Sequence, residues 1–337
     1  MRNRKVIFLV GMCILLSFPK WSDAQWVQTG KLGEFTINAL AVSGKNLFAS
    51  MGGWEVDDKY QALFLSKDNG KTWTSLKLKL PDNAWISALG ESGANFLVGY
   101  CIGGVIGGLL SSKDNGASWK DDKSFLRPEA YIYCFAEIGK NLFAGTTGAG
   151  VLLSRDNGKS WKQVNSGLPD WTVNCFAVSG RNLFAGTYNQ GVYLSTDNGA
   201  SWMAANLGLP KDLHLRVLAL AVSGNNLIAG MGHAKDDKYG GLFLSKDNGK
   251  SWTAVNSGLP KKIDVYDLVV CETYIFANTN QGVFASTDNG VSWTAANSGL
   301  SEGTSVSCLV ANEEYLFAGT NNGVWRLSLS GVLIKKR

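Results

Sequence analysis

The sequence predicts an all-β fold, a seven-bladed β-propeller of four-stranded antiparallel blades. A motif of the form Ser-x-Asp-Asn-Gly-x-[Ser/Thr]-Trp occurs six times, with its aspartates at Asp68, Asp114, Asp156, Asp197, Asp247 and Asp288. Successive copies lie 41 to 50 residues apart, a period typical of propellers and solenoids. A second segment, Leu-Phe-Ala or a close variant, occurs seven times, so the chain has one more unit than it has motifs.

Each motif is predicted to form a tight turn between two strands. In the copy from Ser66 to Trp73 the Asn-Gly pair supplies the positive φ angles that a primed hairpin turn requires, and the preceding aspartate can accept bonds from backbone N–H groups. The tryptophan after the turn offers a flat surface for packing against a neighbouring sheet. We interpret the motif as structural rather than as a calcium loop, because several spaced acids and a distal glutamate do not recur.

Two further strand segments precede each motif, as in Val173 to Gly180 and Asn182 to Thr187. We name the four strands of a unit A to D, with A innermost and the tryptophan on D. The seventh unit has strands A to C from Val306 to about Leu329 but no motif, whereas Gln25 to Gly30 matches an isolated D strand. We therefore expect an N-terminal strand to complete the last blade and close the ring, which removes exposed sheet edges.

The six motifs resemble the Asp-box, or BNR, repeat family, which includes the propellers of sialidases, sortilin-type receptors and photosystem II assembly factors. The resemblance covers almost all of the chain after residue 24. It implies the propeller scaffold, and it implies no particular reaction, because one fold hosts many functions.

Residues 1–24 are predicted to be a signal peptide. A basic start is followed by an apolar run from Val6 to Phe18, and the small residues Ser22 and Ala24 precede a cut before Gln25. The run of 13 residues is too short to span a membrane. We expect residues 25–337 to form a single propeller domain of a secreted or periplasmic protein.

The charge of the chain gives no indication of a nucleic-acid or anionic-membrane partner. The formal charge is +5, and removal of the signal peptide takes away four basic residues and one acidic residue, which leaves +2. Three of the remaining positive charges lie in the last three residues. The propeller itself is therefore nearly neutral, whereas nucleic-acid binding requires a basic surface.

Five cysteines follow the signal peptide, and no disulfide framework is predicted. Cys134, Cys175 and Cys308 share one position in strand A, which holds alanine in most other units and Asp267 in one. A position that holds alanine or cysteine favours a small buried side chain. Cys101 is expected in a B to C loop and Cys271 in an A to B turn, on opposite faces.

The ligand site is expected where the repeats differ. B to C loops and D to A connections emerge on one face of a propeller, and A to B turns and Asp boxes on the other. The B to C loop is long in the first and fifth units, where both copies contain Asp-Asp-Lys-Tyr. Because variable loops on a rigid scaffold commonly carry function, we predict ligand-binding residues in these loops: Trp54, Asp57, Asp58, Tyr60, His233, Asp236, Asp237 and Tyr239.

Two interpretations of the shared acids stay open. They bind a cation or a basic ligand, or they are solvated charges inherited from a common repeat. A further ring of unlike residues begins each strand A and is expected to surround the channel mouth on the same face. From that ring we add four ligand-binding residues to the prediction: Trp85, Tyr131, Arg216 and Asp264.

No catalytic residue, metal site or cofactor is predicted. Sialidase chemistry needs three clustered arginines for a carboxylate, and only Arg127, Arg216 and Arg326 lie outside the motifs, turns and tail. The two histidines, His214 and His233, belong to no nucleophile motif or short-spaced ligand set.

We therefore expect a monomeric, non-catalytic binding or assembly scaffold whose protein or carbohydrate ligand occupies the B to C face. The alternative is a sialidase-like glycoside hydrolase or a glycan-binding lectin of the same fold. Aromatic residues near acids would favour this alternative.

Overall fold

The computed structural model describes residues 24–330, except 31, 33–34, 53–62, 94, 123–126, 129, 212–214, 233–239 and 273. Seven antiparallel sheets follow one another around a ring, which confirms the predicted seven-bladed propeller. The innermost strands of neighbouring blades contact each other all round the ring. Within the described residues, no helix has the length and apolar character needed to cross a membrane.

Four strands build each of the first three blades, and blade 2 carries one additional short strand. Blade 1 contains β2 (Ile37–Ser43), β3 (Asn46–Met51), β4 (Leu63–Ser66) and β5 (Thr74–Leu76). Blade 2 contains β6 (Ala84–Ser92), β7 (Asn95–Ile102), β8 (Ile106–Ser112), β9 (Lys120–Asp121) and β10 (Arg127–Pro128). Blade 3 contains β11 (Ile132–Ile138), β12 (Asn141–Thr146), β13 (Val151–Ser154) and β14 (Lys162–Gln163).

Blades 4 to 6 repeat the four-stranded order, and blade 7 combines both ends of the propeller. Blade 4 contains β15 (Val173–Ser179), β16 (Asn182–Thr187), β17 (Val192–Ser195) and β18 (Met203–Ala204). Blade 5 contains β19 (Val217–Ser223), β20 (Asn226–Met231), β21 (Gly241–Ser245) and β22 (Thr253–Ala254). Blade 6 contains β23 (Val265–Cys271), β24 (Tyr274–Thr279), β25 (Gly282–Ser286) and β26 (Thr294–Ala295). Blade 7 contains β27 (Val306–Ala311), β28 (Tyr315–Thr320), β29 (Gly323–Ser328) and, as its outer strand, β1 (Trp26–Gln28).

The N-terminal strand closes the ring as predicted. Trp26 pairs with Leu327 across the antiparallel contact between β1 and β29. Its indole Nε1 donates to the backbone oxygen of Ala296 in blade 6 at 2.7 Å, and its backbone N–H donates to Ser298 at 2.8 Å. The last blade therefore has no missing strand, and the first strand of the domain also bonds to the neighbouring blade.

All six Asp boxes form the same hydrogen-bonded turn. In blade 4, Ser195 Oγ donates to Asp197 Oδ1 and accepts from Gly199 N–H, each at 2.8 Å. The Asp197 carboxylate also accepts from the backbone N–H and the hydroxyl of Ser201, and the latter bond in particular lowers its pKa. Asn198 has a φ of 57°, as the turn prediction required. Each aspartate thus accepts bonds within its own turn, and no cluster of His, Cys, Asp and Glu suited to a metal occurs among the described residues.

Three of the six box tryptophans donate a hydrogen bond to the preceding blade, whereas Trp161 Nε1 donates to Gly158 in its own box. Trp202 Nε1 donates to the backbone oxygen of Val164 in the preceding blade at 2.8 Å, and Trp252 does the same to Ala205 at 2.8 Å. Gly167 lies so close to this boundary that a Cβ atom there would collide with the backbone oxygen of Trp202. The tryptophans therefore pack between sheets, as predicted from their position after the turn.

Every inner strand carries a β-bulge at the same point. In blade 4, Val173 pairs with Thr187 and Cys175 pairs with Gly186, so Asn174 is the additional residue. The same register shift occurs in all seven inner strands. A bulge bends a strand and redirects a side chain, so each blade has one irregular position near the start of its inner strand.

All five described cysteines are free thiols. Cys134, Cys175 and Cys308 share one register position, opposite a glycine on the adjacent strand. Burial raises the pKa of each of these thiols. The three cysteines are half-buried as whole residues, so the prediction of a small side chain holds and that of a buried one is met in part. The expected loop position of Cys101 is wrong, because the tight turn at Gly103 and Gly104 lets β7 continue through Cys101, which is buried.

Candidate functional site

The site predicted on the B to C face is described in part. Trp85, Tyr131, Arg216 and Asp264 lie at or next to the first residue of an inner strand, the position from which the sequence predicts a channel mouth. The other eight predicted residues lie outside the described residues: Trp54, Asp57, Asp58, Tyr60, His233, Asp236, Asp237 and Tyr239.

Backbone hydrogen bonds hold the mouth residues against the B to C loop of their own blade. The N–H of Gly232 donates to the carbonyl oxygen of Arg216 at 3.0 Å, and that of Asn280 donates to Asp264 at 3.1 Å. Blades 3, 4 and 7 contain the equivalent bond. These bonds fix the start of each of these inner strands against the residue that follows strand B, which suits a preorganised binding surface.

Three aromatic residues pack edge to face on blades 2 and 3. The ring centroids of Trp85 and Tyr131 lie 5.3 Å apart, and those of Tyr131 and Tyr133 lie 5.1 Å apart. The hydroxyl groups of the two tyrosines are hydrogen bonded at 3.1 Å. Tyr131 is itself buried, and this burial raises its pKa. Its role is thus to hold Trp85 and Tyr133 in place, and Tyr133 presents more surface to a ligand.

An arginine and a tyrosine stack on blades 5 and 4. The guanidinium carbon of Arg216 lies 4.7 Å from the ring centroid of Tyr188, within the range of a cation–π contact. Arg216 also influences Tyr266 on blade 6, whose pKa is raised by burial and by Asp264 and is lowered by Arg216. The structure therefore brings Arg216, Asp264 and Tyr266 into one neighbourhood.

We call Tyr133, Trp171, Tyr188, Arg216 and Tyr266 the aromatic rim. Its four aromatic side chains are between 39% and 58% exposed. They lie on or between blades 3 to 6, which are consecutive around the ring. We take this series of partly exposed aromatic residues as the candidate ligand surface.

Asp170 shapes the rim without offering a free carboxylate. Its Oδ1 accepts from the N–H of Thr172 at 3.0 Å, and its Oδ2 accepts from the N–H of Asn189 at 2.7 Å. These bonds tie the connection that carries Trp171 to the loop that carries Tyr188. Asp170 is consequently a structural acid.

Tyr266 occupies a bulge position that performs a different task in other blades. In blade 4 the bulged residue is Asn174, whose Nδ2 donates to the Val217 oxygen of the next blade at 2.8 Å. In blade 6 that interblade bond comes instead from Asn278, which donates to the Val306 oxygen at 3.1 Å. Asn278 thus supplies in blade 6 the bond that the bulged asparagine supplies in blade 4.

Asp267 accompanies Asn278 at the boundary between blades 6 and 7. Its Oδ2 accepts from the N–H of Leu309 in blade 7 at 2.9 Å, and its Oδ1 accepts from the N–H of Leu268 at 2.8 Å. Burial nevertheless raises its pKa. The Oδ1 atom of Asn278 is buried and has no hydrogen-bond partner among the described residues. This acid is thus part of the blade boundary rather than of the channel mouth.

A cleft of about 480 Å³ opens beside Tyr266 between blades 6 and 7. Its walls come from the B to C loop of blade 6 and from the connection between β26 and β27, and they include Asn280, Gln281, Ser301 and Thr304. The volume falls within the range of small-molecule sites.

The sequence did not single out Tyr133, Tyr188 or Tyr266 as ligand residues. Tyr133 and Tyr266 are the bulged residues of their inner strands. The available signal was the variation at this position, which is filled around the ring by Asn38, Ser87, Tyr133, Asn174, Leu218, Tyr266 and Ser307. The arginines do not form a sialidase-like cluster in the described part, because Arg326 bonds to Asn69 in an Asp-box turn on the opposite face.

The closed ring of seven sheets is a seven-bladed β-propeller, and six of its blades carry the repeated Asp-Asn-Gly turn. A family model described as Sortilin-Vps10 (sortilin, neurotensin receptor 3) matches residues 149–267, about a third of the chain. A search among curated proteins found no match.

Among solved structures, YCF48 bound to D1 peptide is 15% identical, with a TM-score of 0.67 over 90% of this chain and 96% of that one. YCF48 from Cyanidioschyzon merolae is 16% identical, with a TM-score of 0.64 over 90% of this chain and 98% of that one. The GH74 xyloglucanase from Xanthomonas campestris is 18% identical, with a TM-score of 0.62 over 85% of this chain and 51% of the enzyme. The chain thus spans about half the length of the xyloglucanase, and at these identities the likenesses concern the fold.

Proposed function

We propose that this protein is a non-catalytic binding scaffold that holds a polypeptide ligand against its B to C face. The observation that carries the proposal is the aromatic rim. Tyr, Trp and Arg are the residue types that most often dominate the energy of protein interfaces. Their contribution is greatest where the partner excludes water from them, and Arg216 stacked on Tyr188 is already held in a defined position.

Two further points support a polypeptide ligand. YCF48, which has the same fold and similar length, was solved with a bound peptide. The mouth also carries both signs of charge, in Arg216 and Asp264, which suits the mixed polarity of a peptide. We place the protein in a secreted or periplasmic location, on the strength of the signal peptide predicted in residues 1–24.

A glycoside hydrolase is the alternative, since the GH74 xyloglucanase shares the fold. Hydrolysis needs two carboxyl groups facing each other across a pocket, about 5 to 10 Å apart. Of the acids described at the mouth, Asp170 accepts two backbone N–H groups, and this use of its oxygens favours binding over catalysis.

A random peptide library displayed on phage tests the proposal. The purified protein should select peptides, and a synthetic copy of a selected peptide should bind at least about fivefold more weakly to Arg216→Ala and to Tyr188→Ala, because about 1 kcal/mol is expected from each side chain. Arg181→Ala removes an exposed arginine from an A to B turn on the opposite face, so it should bind like the wild type.

Equal binding by all three variants would refute the aromatic rim as the ligand site. The wild-type protein should not hydrolyse aryl glycosides, including a sialoside. Hydrolysis that is lost in Asp264→Asn would show that the protein is a glycoside hydrolase rather than a binding scaffold.

A further inference from the structure

The cleft beside Tyr266 has a lining without charged residues. It is formed by Tyr266, Thr279, Asn280, Gln281, Gly282, Asn297, Leu300, Ser301, Gly303, Thr304, Ser305 and Val306. Amide and hydroxyl groups therefore supply its polarity. Arg216 and Asp264, which influence Tyr266, lie outside this lining and carry opposite signs, so the cleft favours neither an anion nor a cation. A wholly apolar ligand would leave the polar groups without partners, which is costly.

Tyr266 provides a flat apolar surface at one side of the cleft. The ring is 45% exposed, and its hydroxyl has no hydrogen-bond partner among the described residues. Burial and the neighbouring Asp264 raise its pKa, so the phenol stays neutral and can both donate and accept a hydrogen bond.

The polar groups of the wall are largely held in place. Asn280 Oδ1 accepts from the N–H of Asp264 at 3.0 Å, and Asn297 Oδ1 accepts from the N–H of Val283 at 2.7 Å. The hydroxyl groups of Ser301 and Thr304 bond to each other at 2.8 Å. Each of these groups retains hydrogen-bonding capacity for a ligand, because an amide nitrogen has two donors and a hydroxyl has two lone pairs.

Gln281 is the adjustable member of the wall. Its Nε2 lies 3.4 and 3.5 Å from the backbone oxygens of Lys261 and Lys262, which are long distances for such bonds. The side chain is exposed, so a ligand with better-placed acceptors can recruit it at little cost.

We propose that this cleft binds an uncharged sugar ring. A pyranose has an apolar face that fits an aromatic side chain and hydroxyl groups around its edge that fit amides and hydroxyls. It carries no charge, as the lining requires, and the cleft falls within the volume range of small-ligand sites. This sugar site goes beyond the peptide-binding role of the aromatic rim, with which it shares Tyr266.

Titration with methyl glycosides of glucose, galactose, mannose and N-acetylglucosamine, followed by saturation-transfer NMR and calorimetry, tests the proposal. At least one should bind saturably. Tyr266→Ala should remove the binding, and Tyr266→Phe should retain most of it because the stacking surface remains. Gln281→Ala should weaken it several-fold and provides a second variant if Tyr266→Ala does not fold.

Tyr188→Ala is the control, because it weakens peptide binding at the aromatic rim but leaves the cleft unchanged, so its sugar affinity should equal that of the wild type. Failure to bind any neutral glycoside overturns the sugar site, as does unchanged affinity in Tyr266→Ala. Stronger binding of glucuronate or glucosamine than of the neutral sugars would also overturn it. Gln281→Ala changes no residue of the aromatic rim and should leave peptide capture unchanged, so failure of the sugar site and failure of the peptide site remain distinguishable.

Discussion

Replacement of Trp26 by alanine should destabilise the entire propeller. The indole is 2% exposed, and it packs among residues of blades 6 and 7. Removal of a buried tryptophan side chain costs about 3 to 5 kcal/mol. The Ala296 oxygen also loses the indole N–H that bonds to it at 2.7 Å, and an unsatisfied buried acceptor adds about 1 kcal/mol or more. We expect a total loss of about 4 to 6 kcal/mol from these two terms.

Scanning calorimetry and urea unfolding can measure this loss. At about 2 °C per kcal/mol for a chain of this size, the melting midpoint should fall by about 8 °C or more. Val27→Ala is a matched control on the same strand, where the side chain is 56% exposed, and its effect should stay within about 0.5 kcal/mol. If Trp26→Ala melts at the same temperature as Val27→Ala, β1 does not hold the ring closed and our account of blade 7 is wrong.

Three other predictions concern titratable groups. Hydrogen bonds from Thr72 lower the pKa of Asp68 from 3.8 to about 2. The ionised carboxylate therefore stabilises the fold above about pH 4, and this stabilisation is lost as the pH falls towards 2. The difference in melting midpoint between wild type and Asp68→Asn should shrink over that interval, and a constant difference would contradict the turn bonds. For Asp267 burial raises the folded-state pKa, so stability falls as the pH rises through that pKa. Asp267→Asn retains only one of the two oxygens that accept the N–H groups of Leu268 and Leu309, so it should lower the midpoint at pH 7 by about 2 °C; an unchanged or higher midpoint would show that these two bonds do not offset the burial of the charge. The thiols of the half-buried Cys134 and Cys175 have pKa values raised by burial, so they should react with a thiol reagent much more slowly in the folded protein than after urea unfolding; equal rates would show that the inner strands of blades 3 and 4 do not shield them.

The scaffold could be predicted because its signals are local. In this chain an Asn-Gly pair shortly before a tryptophan indicates a turn in each of six units. The last unit lacks the motif and its D strand, and the isolated strand at Gln25 to Gly30 supplies the missing strand. Both conclusions needed only the sequence around the repeats. The placement of Cys101 failed because β7 and β8 are longer than their counterparts, which two consecutive glycines at a tight turn permit.

The site was predicted less completely because it depends on the bulge. Counting along strand A identified its first residue, and thus Trp85, Tyr131, Arg216 and Asp264, as residues of the mouth. The bulged residue, such as Tyr266, lies two positions after that first residue. The bulge itself follows only from the strand register, in which Val265 pairs with Thr279 and Asp267 pairs with Asn278. Burial limited the prediction at Tyr131 as well, because the sequence does not show whether Tyr131 or Tyr133 is the more exposed of the two.

Ring closure by β1 has a consequence for the order of folding. The strand that is synthesised first pairs with the strand that is synthesised last, so Trp26 and Leu327 meet across almost the whole length of the domain. Such a contact has a large loop-closure cost and forms late. Blades 1 to 6 draw their strands from nearby sequence and can assemble in turn, whereas blade 7 must wait for the C-terminal strands. Until then the outer edge of β29 lacks its partner, so the nearly folded chain is exposed to pairing with a second copy, and rapid docking of β1 protects it from aggregation.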